Sequence, residues 1–208
     1  MIYIENTYIC LVAPLLLVCL ILRKRTGRSL LFIIFGMTSC LLSAYVSTLF
    51  AGLTQTDMAE ATYQISPAVE EIMKFLPMLF YLLVFNADRK SAVNGMMLIA
   101  AGFATFENVC YLTANGSEDL VSLLIRGFGT GAMHIVCGMV VAIGLYLLWE
   151  HPWLRAVGTF AVICFAITGH AMFNVIVGRP GLSLWIGSAL PITILIIFYL
   201  VLFPLTDT

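Results

Sequence analysis

The chain has 208 residues, 62% of them hydrophobic and 10% charged, with a formal net charge of −1 and a mean hydropathy of +1.05, a balance too apolar for a soluble domain. Its solvent is therefore lipid, and no basic stripe is present to replace condensed counterions, so no nucleic-acid partner is expected. The cysteines (Cys10, Cys19, Cys40, Cys110, Cys137, Cys164) all lie in apolar stretches without a CxxC pair, which reads as free thiols that pack as small hydrophobes.

Crossing a bilayer takes about 20 apolar residues, and only helices or closed barrels satisfy their backbone in hydrocarbon. The apolar runs here are too long for barrel strands, so the predicted fold is all-α, a polytopic bundle of about seven spans in a single domain covering residues 1–208. The first run, 7–22, is followed rather than preceded by Arg23-Lys24-Arg25, the reverse of a cleaved signal peptide, and is expected to stay. The second, 29–53, has no charge in its middle, and the third, 67–85, opens with Pro67-Ala68-Val69-Glu70-Glu71-Ile72-Met73-Lys74. The fourth, 91–113, carries Glu107 and Asn108. The fifth, 121–149, carries Arg126 and His134, with Gly127 and Gly131 in a GxxxG spacing that suits close helix packing. The sixth, 156–177, holds His170 and Asn174, and the seventh, 182–204, is uncharged.

Lysine and arginine in the short loops set the orientation. Arg23, Lys24, Arg25 and Arg28, then Arg89 and Lys90, then Arg155 mark the odd loops as cytoplasmic, whereas the even loops hold Asp57, Glu60, Glu118 and Asp119 with only Arg179. The N-terminus is then outside and the C-terminus inside. Asn115-Gly116-Ser117 matches a glycosylation sequon on the outer side, a three-residue pattern that also occurs in plain turns.

Ionisable groups within spans cost several kcal/mol each and face the bundle interior, so each is a candidate functional residue. Glu70 and Lys74, four apart, share a helix face, so the ammonium is expected to compensate Glu70 while Glu71 points about 100° away. At 1.5 Å per residue from the outer ends, Glu70, Glu71, Glu107, His170 and Asn174 lie about 5–12 Å deep, and His134 joins them if Arg126 marks the water boundary. Such a cluster suits hydrolysis: a carboxylate takes a proton from water, histidines ligate a metal or steady an oxyanion, and an amide donates to that oxyanion. A polar lock between helices and a proton- or ion-coupled transporter use the same residue types, although no inverted repeat with paired broken helices supports transport. HExxH and GxSxG are both absent.

Four blocks in order, Glu70-Glu71-x-x-Lys74, Gly102 to Asn108 with Tyr111, Arg126 followed by His134, and Gly169-His170-x-x-x-Asn174, resemble the PrsW-type intramembrane proteases, relatives of the CAAX-protease and bacteriocin-processing superfamily. They span about residues 67–177, the expected catalytic core. The resemblance implies a membrane-embedded metalloprotease in a bacterial plasma membrane. Its expected substrate is a single-span membrane protein, such as an anti-sigma factor, cut near the outer face. It further implies catalytic roles for Glu70, Glu71, Glu107, His134, His170 and Asn174, supported by Lys74, Asn108 and Arg126. By analogy with the CAAX-type relatives, Glu70 is the base, Glu71 supports it, and His170 with Asn174 donates to the oxyanion. In a metal-dependent version Glu107, His134 and His170 are the ligands, with zinc the expected ion. Some relatives carry Asp where this chain has Asn174, and an amide is the poorer ligand. A CAAX-type prenyl-protein peptidase would face the cytosol, opposite to the orientation read here. Arg126 is suited to a lipid phosphate or an acidic substrate segment.

Overall fold

The computed structural model describes residues 4–22, 25–85, 89–116, 120–149 and 151–206. Arg23, Lys24, Ser117, Glu118 and Asp119, used above for orientation and the sequon, lie outside these. Among the described residues every regular element is helical: α1 (Ile4–Ile21), α2 (Arg25–Thr54), α3 (Met58–Gln64), α4 (Ser66–Phe85), α5 (Arg89–Asn115), α6 (Leu120–Leu124), a π-helical turn (Ile125–Thr130), α7 (Gly131–Leu148), α8 (Pro152–Val177) and α9 (Leu182–Thr206).

Among the described residues five helices are long and apolar enough to cross a membrane: Thr26–Thr54, Ser91–Asn115, Leu120–Leu148, Pro152–Val177 and Leu182–Leu200. The apolar stretch Ile4–Cys19 is shorter. Helix α4, with 20 residues, is long enough but carries Glu70, Glu71 and Lys74 within its first three turns, so its composition departs from that of a plain lipid span for the same reason that it is of functional interest. Helix α3 was not foreseen in the connector before α4, which reads as polar from Asp57 and Glu60.

Helix α5 is the central post, with α2 on one side and α7 on the other; α8 packs on α7, and α4 lies against α2, α5 and α8. Glycines set the closest approach. A Cβ at Gly36 would lie 2.0 Å from the Ile99 carbonyl oxygen, and one at Gly102 would lie 2.1 Å from that of Ile33, so α2 and α5 touch backbone to backbone as small residues allow in membranes. Gly138 meets Ala100 of α5 in the same way, at 2.6 Å from its Cβ. The GxxxG pair does not behave as expected. A Cβ at Gly127 or Gly131 would meet nothing within 4 Å, while Gly129 between them abuts Ser188 of α9, at 2.8 Å. Both glycines instead line an open groove beside α5 and α9, and in the π turn the packing contact falls on Gly129.

Below the polar layer the core is Phe32, Phe75, Met78, Leu82, Met96, Ile99, Val141 and Leu145, with Met78, Met96 and Ile99 fully buried. The outer faces of α8 and α9 expose Phe160, Phe165, Ile186 and Leu190, as lipid-facing helices do. All six cysteines are free.

Candidate active site

One end of the bundle gathers the polar residues of four helices. Glu70, Glu71 and Lys74 come from the first turns of α4, Glu107 from the last third of α5, Arg126 from the π turn, His134 from the start of α7 and His170 from the end of α8. His134 and Glu107 are 2.5 Å apart (Nε2 to Oε2), so His134 does lie at the level of the other groups. The Glu71, Lys74, His134 and His170 side chains are essentially inaccessible, whereas Glu70, Glu107 and Arg126 retain 16%, 26% and 27% of their side-chain exposure. The cluster therefore opens along the side formed by these three.

Helical geometry alone left two carboxylates for Lys74, and the one expected was Glu70. The structure corrects this: Lys74 Nζ donates to Glu71 Oε1 at 2.6 Å, an i,i+3 pair fully out of solvent. Positions three apart share a face as well as positions four apart, and Glu71 is the glutamate turned inward, where a buried ammonium needs its counter-charge most. Lys74 also reaches His134 Nδ1 at 3.1 Å and lies 5.0 Å from the centre of the Phe103 ring, within cation–π range.

These contacts fix the histidine tautomers. An ammonium can only donate, so His134 Nδ1 accepts from Lys74 and the ring carries its proton on Nε2, which donates to Glu107. A carboxylate can only accept, so His170 Nδ1, 2.8 Å from Glu71 Oε1, carries a proton there, and in the neutral ring Nε2 is a bare lone pair. Each imidazole is thus oriented by a glutamate, the arrangement that steers metal-ligating histidines. The two rings stand edge to face with centroids 5.0 Å apart.

The bare Nε2 of His170 faces Glu70 Oε2 across 3.6 Å, and that oxygen is buried with no hydrogen-bond partner. Two acceptors opposed in a buried place repel one another unless a cation or a donor lies between them. Glu70, His134 and His170 each offer a ligand atom, all within 4.8 Å of one another, so the donor chemistry fits a divalent metal of the His2Glu kind. The set has Glu70 where Glu107 was expected; Glu107 instead binds His134 and pairs through Oε1 with Arg126 Nη2 at 3.1 Å. His134 would complete the set through Nδ1, the nitrogen that accepts from Lys74 in this structure.

Arg126 is more closely tied to the site than its supporting role suggested. Its guanidinium stacks 4.0 Å from the centre of the Tyr111 ring, and its Nε is buried without a partner. Asn108, next to Glu107, also has a buried, unpartnered Oδ1. Asn174 is turned to the other neighbour of α8: its amide donates to the Thr62 carbonyl of α3 at 2.8 Å, tying that short helix to the site's rim. Phe103 covers both Lys74 and the His134 ring; an aromatic residue in an apolar run carries no signal in the sequence of what it will touch. For the π turn, the run Gly127-Phe128-Gly129-Thr130-Gly131 is the one sequence cue.

A bundle of membrane-crossing helices around a buried glutamate and histidine cluster able to hold a metal defines a polytopic membrane protein of the metallohydrolase kind. The chain belongs to the PrsW family of intramembrane metalloproteases, whose profile matches residues 25–205. No curated protein and no solved structure matches it.

Proposed function

We propose that this protein is an endopeptidase that cuts membrane-tethered proteins near the outer face of the membrane. The observation that carries the reading is the buried Glu70 Oε2, without a partner, facing the lone pair of His170 beside a second oriented imidazole. Glu70, His134 and His170 are the metal's holders, and zinc suits two imidazoles and a carboxylate. When bound, such an ion supplies Lewis acidity toward a carbonyl and makes water a stronger acid.

The remaining residues do the positioning and proton work. Glu71 holds His170 and Glu107 holds His134, so that both imidazoles turn a fixed nitrogen inward. The role of base, first expected of Glu70, passes to Glu107, because Glu70 closes the ligand set while Glu107 is the carboxylate at the partly exposed mouth. Glu107 takes a proton from the attacking water and returns it to the leaving amine. Arg126 steadies Glu107 in its charged form and turns an unpartnered Nε–H toward the substrate carbonyl as oxyanion donor. With its amide on Thr62, Asn174 holds α3 at the rim instead of donating to the oxyanion.

The substrate class is a single-span membrane protein such as an anti-sigma factor, and the location is a bacterial plasma membrane. The full seven-span topology follows if α1 and α4 also cross, with the N-terminus outside. The test is reconstitution into proteoliposomes with a tagged single-span protein. A product ending near the outer membrane boundary, lost on metal chelation and restored by zinc, is expected. Metal-independent proton or ion flux without any peptide product would favour a transporter and defeat this reading.

A further inference from the structure

Beside the site a groove of about 300 Å³ runs between α5, the π turn with α7, and α9. Its α5 wall is Ala101, Ala104, Thr105 and Asn108, spaced i, i+3, i+4 and i+7 on one helix face. Gly127 and Gly131 form the opposite wall, and a Cβ at either would meet nothing within 4 Å. These are therefore not glycines kept small by the bundle's own packing, as Gly129 is by Ser188. One end of the groove adjoins the chemistry through the chain itself: Asn108 follows Glu107, and Gly127 follows Arg126.

We propose that this groove is the docking track for the transmembrane helix of the substrate, an inference that rests on the protease reading. Within the membrane a filler must be apolar and have no unsatisfied backbone, which leaves a lipid chain or a helix. The small residues on two of its walls let a second helix approach closely, the way small residues pair helices in membranes, while Phe128, Ile135, Ile192 and Leu195 line the rest with apolar surface. The polar end decides between the two occupants. Asn108 Oδ1 is a buried acceptor with no donor, and an acyl chain has none to give. A helix that is to be cut must first unwind locally, which frees N–H groups that need acceptors where water is scarce. Asn108 supplies one a single residue from Glu107, so the last helical turn of the substrate rests in the groove while the extended segment beyond it reaches the mouth.

The test uses the full chain in proteoliposomes, with Cys10→Ser to remove an exposed thiol, and a synthetic Leu/Ala transmembrane peptide bearing a Gly-x-x-x-Gly face and one cysteine. Disulfide trapping is expected with Gly131→Cys, at least tenfold above trapping with Phe160→Cys on the exposed face of α8. Adding Gly127→Leu is expected to remove the trapping and to slow cleavage of a tagged single-span protein at least tenfold, with the unfolding temperature unchanged. Equal trapping at both cysteines, as for a groove filled by lipid, overturns the proposal. Cleavage undiminished by Gly127→Leu overturns the groove alone and leaves the protease reading standing, whereas trapping without any cleavage by the parent protein leaves the groove and defeats the protease reading.

Discussion

The two halves of α4 follow opposite rules of stabilisation. From Phe75 onward its inward side chains are Phe75, Met78 and Leu82, packed with Met96, Val141 and Leu145. Lipid tails are as apolar as these residues, so that half gains from close packing and little from leaving its solvent. The first half buries Glu71 and Lys74 completely, at a cost repaid only when every charge has a partner. Apolar packing tolerates many sequences of similar volume. The polar half tolerates few, because each group there is fixed by the next: Lys74 by Glu71, His170 by Glu71, His134 by Lys74 and Glu107.

The contrast is sharpest in a comparison of two glutamates. Glu107→Gln is expected to lower cleavage about 10²–10⁴-fold, the usual worth of a general base, while bound metal stays stoichiometric. Glu70→Gln is expected to lose cleavage and metal together. Cleavage assays paired with elemental analysis check both, and equal metal loss in the two variants would remove the distinction drawn here between ligand and base.

Lys74→Met probes stability in the polar half. It leaves Glu71 buried without its cation, which costs about 3–5 kcal/mol. The double variant Glu71→Gln, Lys74→Met is expected to regain much of that loss without regaining activity. Thermal unfolding in detergent reads the first effect and substrate cleavage the second; a single Lys74 variant as stable as the parent would show that the buried pair is not the keystone of this half.

Met78→Ala is the matching change in the apolar half. It opens a cavity under α4, but its cost should fall below the roughly 2–5 kcal/mol of soluble cores, because in lipid only the packing is lost. Metal content should be unaffected. Smallest of all is Asn174→Ala, which removes one hydrogen bond to the Thr62 carbonyl, worth about 1 kcal/mol, and should change cleavage less than tenfold; a loss as large as that of Glu107→Gln would return Asn174 to the oxyanion site.

Much of this was legible in the sequence because lipid penalises charge. Glu70, Glu71, Lys74, Glu107, His134 and His170 stand out in apolar runs, and helix rise from the span ends brings them to one level once Arg126 is taken as the water boundary for His134. Which partner each one takes was not legible. Glu70 and Glu71 compete for Lys74 at spacings of four and three, and only the tilt and rotation of α4 against α5, α7 and α8 decides between them. Gly127 and Gly131 misled for a related reason: their spacing marks small residues but not what they meet, and here both line an open groove instead of a neighbouring helix of the bundle. Helix α3 was hidden in a polar connector, where seven residues are too few for periodicity to show.

The central claim is that Glu70 and His170 face one another because they share a metal ion with His134. Elemental analysis of the purified protein tests it most directly. The account predicts about one zinc per chain, falling to background in Glu70→Gln and in His170→Ala while both variants remain folded. A protein that cleaves its substrate at full rate with no bound metal, and whose Glu70→Gln form has the metal content of the parent, would contradict it.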